Sequence, residues 1–469
     1  MMKARFRHQA ERLLNQTQDR LLTQVRRIKD DRICVGITGL SRSGKSSFII
    51  SLINQLKQYR SAQLSAFSPW LQHRIIGVQQ HPLEDRYLPS FDYLTGVQAL
   101  SAEPPEWPAS TTDISGALIE VRLRAKSLLG RASSRSLYIE IRDYPGEWLL
   151  DLPLLEMSYR EWCQQQKQLL SGCLRSDMAS NPIAVFTAVD PSLTADAGVL
   201  RRYTQLYKQF LQECRAGPRP LSMVQPGRYL LPGREQSLPE FFPLLSLKQD
   251  AAYPDCSSES YLPLLERRFE QYKREIVKPF FEQFIRPIDR QVVLVDAVQT
   301  LAQGEAYMRE QIEALEHLSS SFNYGSRRLF GGRIEKVLYA ATKMDQVVAR
   351  DHDQVRHLLA SMVHRSLERV TWHEADYRVE AVASIRAGRE TKINDEECIA
   401  GFADNGEALG YVHPQIPGQI PRADQWREFE SWQPIELQPP PGVRADQHEA
   451  LPHIRMDRVL QELIGDLCR

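Results

Sequence analysis

The chain has 469 residues, of which 42% are hydrophobic and 25% are charged, the profile of a soluble globular protein longer than one ordinary domain. Lys plus Arg and Asp plus Glu both number 59, so the formal net charge is zero and there is no overall basic field for nucleic acid. No apolar run is long enough for a transmembrane helix, and no secretory signal is visible. Seven scattered cysteines without a CxxC pair favour a reducing compartment, so we expect a cytoplasmic protein.

The start of the chain is predicted to form one amphipathic helix. Apolar residues recur at helical spacing across residues 3–29, among Arg, Gln and Asp. Packing of this helix on the body of the protein is the favoured interpretation. Binding to a partner or peripheral contact with a membrane surface is the alternative that the pattern leaves open.

A strand, a glycine-rich turn and a helix follow in that order. Residues 32–38 are a short β-branched run typical of a strand buried on both faces, and residues 39–46 match the phosphate-loop pattern G-x-x-x-x-G-K-[ST]. Backbone N–H groups at the helix start would receive a polyphosphate, Lys45 would reach its β- and γ-phosphates, and the Ser46 hydroxyl would bind Mg²⁺. Arg42 is expected to point outward rather than act as an arginine finger. The predicted phosphate-binding residues are Gly39, Ser41, Arg42, Ser43, Gly44, Lys45, Ser46 and Ser47.

A second phosphate-side motif follows a predicted β-hairpin over residues 117–126 and 136–142. The pattern DxxG begins at Asp143, directly after the second strand. There the Asp143 carboxylate would hold Mg²⁺ through a water, and the backbone N–H of Gly146 would reach the γ-phosphate. Loss of that phosphate would release the segment, so the motif predicts a nucleotide-dependent switch.

Two further positions bear on hydrolysis. Thr111 and Thr112 lie upstream of the hairpin and both qualify as the switch threonine that binds Mg²⁺, and we favour Thr111. Glu147 stands where many GTPases have a water-orienting Gln. A carboxylate near the γ-phosphate adds like-charge repulsion, so we expect slow hydrolysis, with Lys45, Thr111 and Glu147 as the catalytic residues.

Three later apolar runs, at 292–298, 337–342 and 379–384, alternate with predicted helices at 303–317 and 346–371 and indicate a parallel sheet. Thr342-Lys343-Met344-Asp345 ends the second run and matches [NT]KxD. The Asp345 carboxylate can accept two N–H bonds from guanine, whereas adenine has no such donor pair. Ser384 and Ile385 end the third run, where a backbone N–H would reach the guanine oxygen. Asp190 and Asp296 also end apolar runs, but they have no partner motif and are assigned no role.

These motifs resemble those of the YcjX-like family of bacterial P-loop GTP-binding proteins, which are similar to TRAFAC-type GTPases. The resemblance rests on GLSRSGKS, RDYPGEWLLDLP and ATKMD and covers nearly the whole chain. It implies a cytoplasmic GTP-binding protein associated with stress responses, in particular the phage-shock regulon. By family pattern, Gly44, Lys45 and Ser46 carry phosphate and Mg²⁺, Asp143 and Gly146 the switch, and Lys343 and Asp345 the base.

The predicted fold is an α/β P-loop NTPase of the GTPase-like type. It has a mostly parallel sheet with one antiparallel strand, a helical insertion and a C-terminal extension with a hairpin at 398–413 and a final helix near 455–467. The predicted regions are the N-terminal helix (1–30), the GTPase-like domain (31–150 and 286–390), the helical inserted subdomain (151–285) and the extension (391–469).

The predicted ligands are GTP or GDP and Mg²⁺, and an unknown protein partner is expected to bind the helical insertion. We expect a regulatory GTP-binding protein that hydrolyses GTP slowly. One alternative is a nucleotide-stabilised scaffold with little hydrolysis, which the carboxylate of Glu147 motivates. The other is an ATP-dependent P-loop enzyme in which Asp345 is idle.

Overall fold

The computed structural model describes residues 31–40, 42–83, 88–110, 113–125, 133–217, 219–230, 238–248, 252–322, 334–403, 406–429 and 432–468. A seven-stranded sheet lies at its centre. In chain order the strands are β1 (Asp31–Gly39), β2 (Ile75–His81), β3 (Ser115–Ala125), β4 (Ser133–Asp143), β5 (Arg290–Val295), β6 (Lys336–Ala341) and β7 (Asp376–Ala381).

The strands lie in the order β2-β3-β4-β1-β5-β6-β7. Every pair from β4 to β7 is parallel, whereas β3 is antiparallel to both β2 and β4. In the described part of the chain, β3 is therefore the one sheet strand that runs against the others. This confirms the predicted α/β fold, a mostly parallel P-loop NTPase sheet with one antiparallel strand.

In the described residues, the helices before the hairpin of β3 and β4 are α1 (Lys45–Lys57), α2 (Ser68–Leu71) and α3 (Tyr93–Leu100). Helix α1 begins directly after Gly44, whose φ of 77° is left-handed, and it buries Phe48, Ile49 and Ile53. These apolar residues pack with β1 residues such as Val35 and Ile37 in one buried cluster. The start of α1 is thereby fixed at the carboxyl end of β1.

The segment between β4 and β5 is mostly helical, as predicted. Its helices are α4 (Gly146–Leu149), α5 (Tyr159–Leu170), α6 (Ser176–Ala188), α7 (Ala197–Ala216), α8 (Gly227–Leu230) and α9 (Tyr261–Tyr272), which continues through π-helical turns to Ile285. Buried aromatic rings hold these helices together. The Trp162 ring stacks on Phe269 at 5.5 Å between centroids and meets Phe241 edge-on at 5.4 Å.

The second half of the sheet is flanked by α10 (Ala297–Ala302), α11 (Glu305–Ser320), α12 (His352–Met362) and α13 (His364–Trp372). The end of the predicted strand at 292–298 is wrong, because Asp296 accepts a hydrogen bond from Gln299 N and starts α10 instead. The predicted helix at 346–371 is two helices, and it begins with 3₁₀ turns.

The C-terminal extension contains a small antiparallel sheet and a last helix. The predicted hairpin is confirmed as β9 (Glu396–Phe402) and β10 (Ala408–Tyr411), and β8 (Arg389–Ile393) adds a third strand. Sequence reasoning missed β8 because its RETKI residues are all exposed, and it missed β2 because IIGVQQH does not alternate. The last helix, α14 (Met456–Leu460), continues in π-helical form to Gly465.

Some predictions lie outside the described residues: the N-terminal helix at 3–29 and the turn residue Asn405. Among the residues that the structure does describe, no helix has both the length and the apolar character needed to cross a bilayer.

Candidate functional site

A cavity of about 870 Å³ lies at the carboxyl ends of the parallel strands, where β1, β6 and β7 pass into loops. Most of the predicted nucleotide-contacting residues line it: Gly39, Arg42, Ser43, Gly44, Lys45, Ser46, Ser47, Gly146, Glu147, Thr342, Lys343, Asp345, Ser384 and Ile385. Ser41, Thr111 and Thr112 lie outside the described residues. Asp143 is described, but it lies behind Lys45 and not on the wall of the cavity.

The phosphate loop is a tight turn between β1 and α1. Gly44 has a φ of 77° with open space where a Cβ would lie, and Arg42 is also left-handed with a φ of 61°. Ser43 N donates to Leu40 O at 3.2 Å and Phe48 N to Gly44 O at 3.0 Å, which joins the turn to the first turn of the helix. Arg42 is exposed and also lines the cavity.

Lys45 and Asp143 form an ion pair at the phosphate end of the cavity. The Lys45 Nζ contacts Asp143 Oδ1 and donates to the Tyr144 carbonyl oxygen at 3.1 Å. The other carboxylate oxygen of Asp143 accepts from the Ser115 hydroxyl at 3.3 Å. Both side chains are largely shielded from solvent, with exposed fractions of 12% for Lys45 and 0% for Asp143. The cation of the phosphate loop and the carboxylate of the DxxG motif are therefore direct neighbours.

Gly146 and Glu147 lie where the phosphate loop meets the inserted helices. A Cβ on Gly146 would lie 2.4 Å from the Gly39 carbonyl oxygen, so the DxxG segment touches the phosphate loop. The Glu147 Oε1 accepts from Arg215 Nε at 3.0 Å. The sequence predicts a carboxylate near the γ-phosphate at this position, and the structure pairs it with a guanidinium from α7.

At the other end of the cavity Lys343 is anchored by Asp296. The Lys343 Nζ lies 2.8 Å from Asp296 Oδ2, and the residue has a left-handed φ of 62°. Burial alone would lower the pKa of the Lys343 amine, but the charge and hydrogen bond of Asp296 outweigh it and leave that pKa raised. The assignment of no role to Asp296 is therefore wrong, since this side chain positions Lys343. Asp190 accepts from Ser192 N at 2.9 Å and lies in a turn.

Asp345 is buried and tied to the loop that follows β7. Its Oδ2 accepts backbone N–H bonds from Ala387 at 2.9 Å and Gly388 at 3.1 Å. Burial raises the pKa of the Asp345 carboxyl, while these two N–H groups and the charge of Lys343 act against it. A Cβ on Gly388 would lie 2.0 Å from the Asp345 carbonyl oxygen, so the two loops need a glycine there.

Comparison with known proteins identifies the family. A model described as "YcjX-like family, DUF463" matches residues 33–468 of the chain. The chain belongs to the YcjX-like family. It is 35% identical over 464 residues to a protein of Shewanella oneidensis named Ras-like GTPase YcjX, an alignment that covers 94% of this chain and 95% of the relative. It is 32% identical over 465 residues to the Escherichia coli K12 protein of the same name, covering 95% and 98%.

In this member of the YcjX-like family, two walls of the cavity come from regions that carry no local nucleotide motif. One wall combines Trp107 with the C-terminal extension, because Trp107 Nε1 donates to Leu437 O at 2.8 Å and Glu436 and Leu437 both line the cavity. The other wall comes from the inserted helices, with Arg215 at the end of α7 and Gln212, Ala216 and Leu230 near it in the lining. The candidate switch segment that contains Thr111 begins near Trp107, but sequence patterns did not predict these contacts, since each joins segments far apart in the chain.

Proposed function

We propose that the protein is a GTP-binding regulatory protein that hydrolyses GTP slowly with Mg²⁺. The observation that supports it most is the single cavity whose lining holds both the phosphate loop around Lys45 and the Lys343–Asp345 loop. Both relatives, aligned across nearly their whole length, carry the name Ras-like GTPase YcjX. A volume of about 870 Å³ is within the size range of small-molecule sites.

The phosphate end has the features that a triphosphate requires. Gly44 adopts a positive φ with no atom near its missing Cβ, so a phosphate oxygen can approach the backbone N–H groups there. Lys45 is a cation at the start of α1, and Ser46 beside it lines the cavity with a hydroxyl. In our proposal Lys45 moves from Asp143 to the phosphates when nucleotide binds. This leaves the Asp143 carboxylate available on the Mg²⁺ side of the site.

Hard oxygen donors fit Mg²⁺, and Ser46, Asp143 and Thr111 are the residues that we propose to hold it. When bound, Mg²⁺ neutralises charge on the β- and γ-phosphate oxygens. The chain's own residues position the nucleotide: Lys45 binds phosphate oxygens, and Gly146 offers its N–H to the γ-phosphate. The contact between Gly146 and Gly39 supports this, because it brings the DxxG backbone against the phosphate loop.

At the base end, Asp345 is proposed to accept the N–H donors of guanine, with Ser384 and Ile385 beside it. The hydrogen bonds from Ala387 and Gly388 to Oδ2 fix the orientation of this carboxylate before nucleotide binds. Lys343, fixed by Asp296, supports the same loop. An ATP-dependent enzyme would have no use for this arrangement, because adenine lacks the donor pair.

We propose a cytoplasmic role in a stress response, as the resemblance to the YcjX-like family implies, and a protein partner that binds the inserted helices. Their direct continuity with Gly146 supports this, since α4 begins at that residue. A change at the γ-phosphate would reach the helices without an intervening linker.

Nucleotide preference tests the proposal. Thermal unfolding with Mg²⁺ and saturating GTP, GDP or ATP should show stabilisation by the guanine nucleotides, about 2.7 kcal/mol at 100 times the dissociation constant, and little by ATP. The Asp345→Asn variant should bind GTP at least about tenfold more weakly and gain affinity for xanthosine triphosphate, because the amide presents a donor to the purine.

The matched control is Asp353→Asn, which removes the same charge from a side chain on α12 that is 75% exposed. It should bind GTP as the unaltered protein does. Stabilisation by ATP and GTP to the same degree, unchanged by Asp345→Asn, would support the ATP-dependent alternative. Stabilisation by GTP without phosphate release under single-turnover conditions would support the scaffold.

A further inference from the structure

Helix α7 of the inserted segment carries a guanidinium to the phosphate end of the cavity. Arg215 lies in the last turn of this helix and lines the cavity together with Lys45, Gly146 and Glu147. Its Nε donates to Glu147 Oε1 at 3.0 Å, and Glu147 directly follows the glycine of the DxxG motif. An arginine from the insertion therefore lies beside the segment that is proposed to meet the γ-phosphate.

One N–H group of the Arg215 guanidinium, that of Nε, bonds to Glu147. Among the described residues, its hydrogen bonding is limited to the bond from Nε to Glu147. Arg carries five N–H donors in a planar fork that matches carboxylate and phosphate oxygens. The Arg215 side chain is 30% exposed, whereas that of Glu147 is 11% exposed. The terminal amino groups can accordingly bind a ligand in the cavity.

The end of α7 is held in place by packing, so this position is a property of the fold. Leu211 and Cys214 on α7 are buried, and the Cys214 carbonyl oxygen accepts from Leu221 N at 2.9 Å. In α8, a Cβ at Gly227 would come within 2.1 Å of the Glu147 carbonyl oxygen. The backbone of the DxxG segment is thus packed directly against the insertion that supplies Arg215.

We propose that Arg215 is an arginine supplied from within the chain that contacts the γ-phosphate of GTP during hydrolysis, with Glu147 holding it in the ground state. The inference rests on the proposed function and adds a catalytic residue to it. During hydrolysis the oxygen of a water bonds to the γ-phosphorus while the bond from phosphorus to the β–γ bridging oxygen breaks. GDP leaves with that electron pair, and the hydrogens of the water leave on the released phosphate.

Negative charge grows on the bridging and γ-phosphate oxygens in this step, and a guanidinium there stabilises it. Glu147 competes with the phosphate for the same donors. While the pair of Glu147 and Arg215 persists, the cation is partly neutralised, and this accounts for slow hydrolysis without assigning Glu147 contact with the water. The carboxylate is in this view a positioning residue, and the guanidinium is the catalytic one.

Single-turnover hydrolysis with Mg²⁺ tests the proposal when GTP affinity is measured separately. Arg215→Ala should slow hydrolysis about 10²–10³-fold, the loss typical of one preorganised donor, while GTP affinity stays within about threefold. Arg201→Ala is the matched control, because it removes the same charge from α7 about four turns away at a side chain that is 80% exposed. It should hydrolyse GTP as the unaltered protein does.

Aluminium fluoride separates a catalytic from a structural role. With GDP it mimics the transferring phosphoryl group, so the Arg215→Ala protein should bind GDP normally and fail to take up aluminium fluoride. Arg215→Lys keeps the charge without the planar fork and should fall between Ala and Arg. If Arg215→Ala does not fold, this Lys variant carries the test.

Glu147→Ala should raise the hydrolysis rate when Arg215 is present and leave it unchanged in Arg215→Ala. This outcome links the two residues. If the unaltered protein hydrolyses GTP and Arg215→Ala matches it in both rate and aluminium fluoride uptake, the inference alone is overturned. If the unaltered protein neither binds nor hydrolyses GTP, the proposed function fails, and the inference fails with it.

Discussion

Gly146 lies so close to the phosphate loop that a Cβ there would stand 2.4 Å from the Gly39 carbonyl oxygen and 3.3 Å from its carbonyl carbon. Both are backbone atoms, so they cannot rotate away as a side chain would. The sequence motif explains this glycine by an N–H to the γ-phosphate, and the structure adds a packing reason that holds without nucleotide. Because Gly146 has no Cβ, the DxxG segment and the phosphate loop can touch.

Gly146→Ala should therefore lower stability by about 1–3 kcal/mol through overpacking and weaken GTP binding, because the DxxG backbone must move away from Gly39. Thermal unfolding and GTP titration measure the two effects. Gly77→Ala is the control, since Gly77 lies in β2 with nothing within 4 Å of its missing Cβ. That variant should match or slightly exceed the parent in stability. A Gly146→Ala protein with parental stability and affinity would contradict the packing argument.

Local motifs predicted most of the residues that line the two ends of the cavity, and they did not predict residues whose contacts join distant parts of the chain. The TKxD pattern identified Lys343 and Asp345, because the chemistry and the spacing lie within four residues. The motif did not predict Asp296 or Gly388. Asp296 contacts Lys343 from the end of another strand, and Gly388 contacts Asp345 from another loop. Arg215 was not predicted for the same reason, since in the sequence an arginine on an amphipathic helix looks like an ordinary solvated side chain.

At the scale of elements, the buried carboxylate of Asp151 links the turn after α4 to helices α8 and α9. Asp151 accepts from the Tyr272 hydroxyl at 2.5 Å, from Gly227 N at 2.8 Å and from Arg228 N at 3.3 Å. These donors come from α8 and α9. Burial raises the pKa of the Asp151 carboxyl to about 6, although the three hydrogen bonds and the charge of Arg228 oppose that rise.

The raised pKa predicts how stability changes with pH. The folded state binds a proton at Asp151 more tightly than the unfolded state, whose pKa is near the usual 3.8. The contribution of Asp151 to stability is fully present below that value and is lost as the pH rises through about 6. Asp151→Asn has no such titration, so the stability of the parent relative to this variant should fall between pH 4 and pH 6.

The slope of this difference is at most about 1.4 kcal/mol per pH unit for one group. Urea unfolding of both proteins at half-unit pH intervals measures it, and the remaining titratable groups cancel in the comparison. Parallel stability curves for the two proteins across this range would show that Asp151 keeps an ordinary pKa and would contradict this prediction.

At the scale of the whole molecule, the two sides of the cavity are tied to different parts of the chain. On the base side the C-terminal extension joins the helix of the phosphate loop to the loop after β7. Asn54 Oδ1 on α1 accepts from Leu451 N at 2.8 Å, and the backbones of Ala383 and Ile454 exchange hydrogen bonds at 3.0 and 2.9 Å. On the γ-phosphate side, the DxxG segment is tied instead to the inserted helices through Asp151 and Arg215.

This division predicts which residues respond to a change of the bound nucleotide. Hydrogen exchange of the full chain with GDP·Mg²⁺ and with a non-hydrolysable GTP analogue and Mg²⁺ should differ over residues 143–156 and 225–230. In the proposed site Gly146 would contact the γ-phosphate, which GDP lacks, and Asp151 would pass the displacement of this segment to α8. Residues 449–456 should change little, because they contact α1 and the loop after β7, where the proposed site would hold GDP and GTP alike. The exposed strand β8 (Arg389–Ile393) supplies an internal control peptide.

Equal exchange in both states across residues 147–285 would contradict the coupling, whatever the affinity for GTP. A difference confined to 143–146 would show that the DxxG segment responds while Asp151 does not transmit the response. A difference that extends to the end of α7 would indicate that Arg215 and Glu147 change partners with the nucleotide. In that case the helices that carry the proposed catalytic arginine would also present a changed surface to the proposed partner, because α7 and α8 both contact Glu147.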